Sequence, residues 1–476
     1  MIRPTASRFA ALVAGCVLLA GCGDEIEIPE YDPPAEPSAG SWPTFAISGP
    51  AAVEVPPPPS PGSAEAQADE RELKRIVAGR DLSQERSARF WAQEPAIRPW
   101  LDSALNATTL RKANDPVTAA RAYALVAVAM NDAAVSAWRW KYRYDRKAPS
   151  VDPLLPRPKD PSYPSEHAAI AGAAERVLAY AFPERDAGTL EEMARRAGRS
   201  RTVAGVGYPS DVRAGLALGR KIGDAVVNRA RQDGAGREGG SERPTGEGLW
   251  EPPPGSEDPP IQPLAGSWKP WILESGSRFR PDDPPAFDSA ELRSEASRVV
   301  EVGEGLTAAQ KGLANRWEGA AGTPQVPGIW NQIALSRIDQ RGLSIPRVAR
   351  TFALLNMSMA DAGIASFDAK YTYNYPRPES AIADLGLEQG WKPFLPTPLS
   401  PSYVSSRSAF SAAAAELLAQ VFPDSAKGFR RRADEAGASS VFAGAQFPFS
   451  DEAGRELGRQ VGELAAGLAR EKGGQP

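Results

Sequence analysis

The strongest constraint on this chain is that it repeats itself. Residues 120–149 align with residues 349–378 at an offset of 229 without a gap, and about a third of the pairs are identical. Arg121 meets Arg350, Asp132 meets Asp361, and Lys141, Tyr142, Tyr144 and Pro149 meet Lys370, Tyr371, Tyr373 and Pro378. A second block matches at an offset of 240, from Pro161-Ser162-Tyr163 and Ser165 (Pro401-Ser402-Tyr403 and Ser405) to Phe182-Pro183 (Phe422-Pro423). Ser210-Asp211 meets Ser450-Asp451 at that same offset, and the register slips to 239 from Ala214 and Ala453 onward. Each half carries the same blocks in the same order, so the fold must be two copies of one unit.

Each block reads as helix. Residues 117–138 are almost continuously apolar, with no Gly or Pro. A helix apolar on all faces belongs inside a bundle. Residues 166–181 are Ala-rich and allow close helix approach, and Pro209-Ser210-Asp211 reads as a helix start. Alternating β patterns are nearly absent. The expected architecture is all-α, two tandem helical bundles packed together. The boundaries read as follows: 1–22 a signal peptide, 23–65 a poorly ordered Pro-rich tether, 66–232 the first repeat, 233–285 a Pro/Gly-rich linker, 286–476 the second repeat. Trp250, Trp268 and Trp271 in the linker are expected to pack onto the body.

Arg3 and Arg8 precede the short apolar run Phe9 to Ala20, which suits a signal-peptide core better than a membrane span. The run ends in Leu19-Ala20-Gly21-Cys22, which resembles a bacterial lipobox, so Cys22 is expected to carry the lipid. That reading places the chain on the bacterial envelope, anchored to the membrane, at the outer membrane if the host has one. Cys16 and Cys22 are the only cysteines, so the mature chain has no disulfide. The net charge of −4 and the absence of a basic patch argue against nucleic acid as a partner.

The blocks resemble the three motifs of the type 2 phosphatidic acid phosphatase/vanadium haloperoxidase superfamily: Lys-x6-Arg-Pro, Pro-Ser-Gly-His and Ser-Arg-x5-His-x3-Asp. The wording around them, Pro161-Ser162-Tyr163-Pro164-Ser165-Glu166-His167-Ala168 and Tyr208-Pro209-Ser210-Asp211-Val212, is similar to that of bacterial haloperoxidase-like members. The resemblance implies a tetrahedral oxyanion, phosphate or vanadate, or a phosphoester held by cations. In the first repeat these are Lys141 and Arg201 with Ser165, and in the second Lys370 and Arg377 with the added Arg407. It implies acid/base work for His167 and an orienting role for Asp211. It also admits a homodimer. No metal-ligand set is expected.

The departures decide how far this carries. Ala148 stands where Arg is expected before Pro149, with Arg157-Pro158 a few residues on as a substitute. Gly207 and Gln446 stand where the nucleophilic or vanadium-ligating imidazole belongs, Ser439-Ser440 replaces Ser-Arg, and Arg407 replaces the second-motif His. His167 is the only histidine. Asp132 and Asp361, in apolar helices, read as structural carboxylates tied to another helix. Three readings stay open: an envelope phosphatase or vanadate-dependent peroxidase with degenerate motifs, a pseudoenzyme that binds phosphate, vanadate or lipid headgroups, and an envelope scaffold.

Overall fold

The computed structural model describes residues 34–471 apart from 93–95, 112–114, 240–243, 253–255 and 257. The segment expected to be a signal peptide, Cys22 and the start of the expected tether lie outside the described residues. Those described form helices and loops, with no strand among them. The first repeat runs α1 (Ala64–Ala78), α2 (Leu82–Phe90), α3 (Arg98–Leu110), α4 (Pro116–Tyr144), α5 (Glu166–Ala181), α6 (Ala187–Val203) and α7 (Pro209–Arg231). The second runs α8 (Ala290–Glu304), α9 (Ala308–Trp317), α10 (Gln325–Ile338), α11 (Ile345–Tyr373), the added α12 (Pro378–Asp384), α13 (Ser406–Val421), α14 (Ala426–Phe442) and α15 (Pro448–Arg470).

The duplication extends to helix lengths and ends. The pairs α4/α11, α5/α13, α6/α14 and α7/α15 have 29, 16, 17 and 23 residues in both copies. Ser165 and Ser405 cap α5 and α13 by accepting the N–H of Ala168 and Ser408. Asp145 and Asn374 end α4 and α11 at φ 47°, a left-handed conformation that short polar side chains tolerate. The tilted indole pair Trp91–Trp100 recurs as Trp317–Trp330, with ring centroids 5.9 and 5.8 Å apart. Because α4 and α11 are apolar on nearly every face, they pack against each other at the centre, and one core cluster runs through both repeats. A Cβ on Gly219 would lie 1.9 Å from the Ala169 carbonyl, and one on Gly458 2.2 Å from that of Ala409, so glycine sets how closely α7 and α15 cross α5 and α13.

Three sequence expectations need correction. The tether and linker are not spacers where the structure describes them. Ala39-Gly40-Ser41-Trp42 and Ala265-Gly266-Ser267-Trp268 form matching 3-10 turns, and both tryptophans are buried. Each turn leads into a strap across the long helix of its own repeat. Asp132 accepts the N–H groups of Phe45, Ala46 and Ile47 at 3.0, 2.8 and 3.3 Å. Asp361 accepts those of Trp271, Ile272 and Leu273 at 2.8, 2.6 and 2.8 Å. An extended segment has amides it cannot satisfy itself, and a buried carboxylate needs donors, so each meets the other's demand. The repeats therefore begin at their straps, not at residues 66 and 286. This also corrects the two aspartates: they are structural, but they hold straps rather than another helix. Arg121 pairs instead with Asp233 at 2.7 Å.

The third correction concerns register. Ser165 donates its backbone N–H to the Asp211 carbonyl, and Ser405 donates its own to Ser450. Gly205 and Gly444, 239 apart, share φ 73°. Ser450 is thus the counterpart of Asp211, and Asp451 the counterpart of Val212. One residue along a helix turns a side chain by about 100°, so Asp451 faces Ser408 and Arg455 instead. The second repeat has no motif aspartate.

Candidate functional site

In the first repeat the ends of α4, α5 and α6 and the loop before α7 bring Lys141, Ser165, Glu166, Arg201 and Gly207 around one small cavity of about 10 Å³. That is room for about one water. Lys141 is buried, donates to the Pro161 carbonyl and forms a 2.8 Å ion pair with Glu166. The other Glu166 oxygen lies 2.7 Å from His167 Nδ1, and Arg201 lies 3.1 Å from His167 Nε2. An arginine can only donate, so Nε2 accepts and Nδ1–H donates to Glu166. Burial lowers the imidazole below its usual range, with the Arg201 charge adding to it and Glu166 opposing. Burial alone would raise the Glu166 carboxyl, but Lys141 and His167 hold it well below the usual carboxylate range. His167 is therefore neutral, with its lone pair spent on Arg201 and no Nε2 proton to give.

Asp211 caps α7 through the Tyr208 N–H at 2.8 Å and pairs with Arg146 at 2.7 Å. Burial raises its carboxyl, and Arg146 opposes this. Arg146 also holds Asp69 of α1 at 3.0 Å and lies 3.9 Å above the Tyr208 ring. Sequence reasoning missed Arg146 and Asp69, since Arg146 has Tyr375 as its repeat counterpart and only the α1 packing links it to Asp69. Arg157 is exposed and donates to the carbonyls of Pro149 and Val151, so it does not replace the arginine lost at Ala148. A Cβ on Gly207 would lie 3.6 Å from both Arg201 and Asp211, ordinary contact distances, so the position has room for a side chain.

The second repeat is different. Lys370 is buried and donates to the carbonyls of Pro401 and Ser402 at 2.7 and 3.0 Å. Arg377 donates to the Ser400 carbonyl, the Ser400 hydroxyl and the Ala445 carbonyl at 2.7, 3.0 and 2.9 Å. Arg407 donates to Ser439 Oγ at 2.8 Å and the Glu318 carbonyl at 3.3 Å. Gln446 accepts from Ser402 at 2.9 Å. Among the described residues no carboxylate forms an ion pair with Lys370, Arg377 or Arg407. Burial depresses all three: Lys370 well below its usual range with Arg377 beside it, Arg377 to about 9, and Arg407 to about 10. The nearby charges of Glu318 and Asp451 oppose this at Arg407, whereas no carboxylate does so at Lys370 or Arg377.

A family model of the VCPO second helical-bundle domain matches residues 183–234 and 350–432. Among solved structures, a bacterial vanadium-dependent iodoperoxidase is similar at TM-score 0.64 and 22% identity, covering 78% of this chain and 95% of that one. The holo form of a bacterial vanadium-dependent chloroperoxidase is similar at 0.57 and 17%, covering 76% and 93%. Its apo form is similar at 0.58 and 16%, covering 76% and 94%. At these identities the likeness is one of fold. No curated protein matches the chain.

Proposed function

We propose that this chain, whose fold is similar to that of bacterial vanadium-dependent haloperoxidases, is a pseudoenzyme that binds a phosphate-like oxyanion through its second repeat without turnover. The observation that carries this is the set Lys370, Arg377 and Arg407, the first two buried, whose hydrogen-bond partners are carbonyls and serine hydroxyls rather than carboxylates. Buried cations without a counterion favour an anion that compensates them. The N–H groups left over on these side chains can donate to tetrahedral oxygens.

Turnover is a different matter. Phosphoester cleavage by a covalent route needs a nucleophile, and the resemblance assigns that imidazole to the positions of Gly207 and Gln446. Neither can attack phosphorus. Vanadate as a histidine-ligated oxidation cofactor does not fit either repeat, because His167 Nε2 is taken by Arg201 and no other histidine exists. Vanadate fits only as a simple oxyanion in the second repeat. A lipid at Cys22 would hold the protein on the envelope membrane, where phosphate headgroups are the nearest ligands of this class; labelling of wild type but not Cys22→Ala by a fatty-acid probe tests the anchor.

The test of the central reading is a calorimetric titration of the full-length chain with orthovanadate and inorganic phosphate, alongside bromide/peroxide and phosphoester assays. Binding without turnover, lost in Arg377→Ala, is the expected result. Turnover that disappears in His167→Ala would return the chain to the enzymes. No binding in a folded sample would favour a scaffold.

A further inference from the structure

In the first repeat an acidic side chain stands among the cations. Glu166 is the first residue of α5, directly after the capping Ser165. Its side chain is 11% exposed, and its two oxygens engage Lys141 at 2.8 Å and His167 at 2.7 Å. It lines the same cavity as Lys141, Ser165, Arg201 and Gly207, and that cavity keeps only about 10 Å³. A tetrahedral oxyanion of five heavy atoms does not fit there. The counterpart of Glu166 in the second repeat is Ser406, and that of His167 is Arg407. The two positions together replace a carboxylate paired to the lysine by a serine, and an imidazole by a further arginine.

We propose that Glu166 is a built-in anion that fills the oxyanion place of the first repeat, so that Glu166→Ala opens a second binding site for phosphate. The chemistry is substitution of like for like. A carboxylate accepts from Lys141 as a phosphate oxygen would, and it does so without the entropy cost of capturing a free ligand. Alanine removes both the charge and the side-chain volume that closes the cavity, and leaves Lys141 and Arg201 to an external anion. Glu166 is then the residue that confines ligand to the second repeat. The inference leans on the second-repeat reading only for the background in which it is measured.

The experiment titrates inorganic phosphate into four full-length proteins: wild type, Arg377→Ala, Glu166→Ala/Arg377→Ala, and that double variant with Lys141→Ala added. Arg377→Ala alone should bind nothing. The double variant should regain one site, with a Kd in the micromolar to millimolar range, and Lys141→Ala should abolish it. Continued binding by Arg377→Ala alone would overturn the second-repeat reading and leave this one standing if Glu166→Ala adds one further site. A folded double variant that binds no phosphate overturns the proposal. If Glu166→Ala lowers Tm, the same decision rests on whether millimolar phosphate raises the Tm of the double variant more than that of Arg377→Ala; an equal response overturns it.

Discussion

The two repeats share their helix lengths, caps, tryptophan pairs and straps, yet their sites differ in charge. In the first, Lys141 is paired with Glu166, Asp211 with Arg146, and Arg201 with a neutral imidazole. In the second, Lys370 and Arg377 rest on backbone carbonyls and a serine hydroxyl. Scaffold positions answer to packing, which tolerates little change once helices cross at glycine distances. Site positions answer only to charge balance and ligand, so they drift further. Duplication of the scaffold thus does not imply duplication of the site.

If the scaffold is symmetric, both strap carboxylates should matter alike. Asp132→Ala and Asp361→Ala each leave three strap amides without an acceptor and should each cost about 3–4 kcal/mol in urea unfolding. A large difference between the two would break the symmetry. The sites should respond unequally: Arg377→Ala should weaken orthovanadate binding by about 100-fold, roughly 2.7 kcal/mol, and Lys141→Ala by no more than about twofold. Equal losses would mean that both repeats bind.

Burial pushes Asp132 and Asp361 up to about 6, against the strap amides that oppose it. The folded chain then holds more protons than the unfolded chain between about pH 4 and 6. Stability from this source is fully present below about pH 4 and lost as pH rises through 6, on the order of 2–3 kcal/mol per carboxyl. Asp132→Asn should remove about half of that slope in urea unfolding measured across the window, and Asp361→Asn the other half. The smallest effect is expected at Gly207. Its open Cβ direction predicts that Gly207→Ala shifts stability by less than about 1 kcal/mol, and a larger loss would show that the glycine is required by the fold.

Much of this was legible without coordinates. The repeat, the all-helical class and the missing imidazoles at 207 and 446 follow from residue identity and spacing. The straps were hidden in Pro-rich composition, although the recurring Ala-Gly-Ser-Trp of residues 39–42 and 265–268 was a signal for them. Composition speaks to an isolated segment, whereas the straps are ordered by carboxylates more than 80 residues away.

The site divided the same way. Sequence by itself determined which cations and which histidine the chain owns. Only the tertiary structure decided that Glu166 neutralises Lys141, that Arg146 claims Asp211, and that Asp451 faces away from the place of Asp211. The reason is geometric. Helical periodicity fixes a side chain's direction about its own axis, but which charges meet depends on how separate helices cross, and a shift of one residue turns a carboxylate to another neighbour.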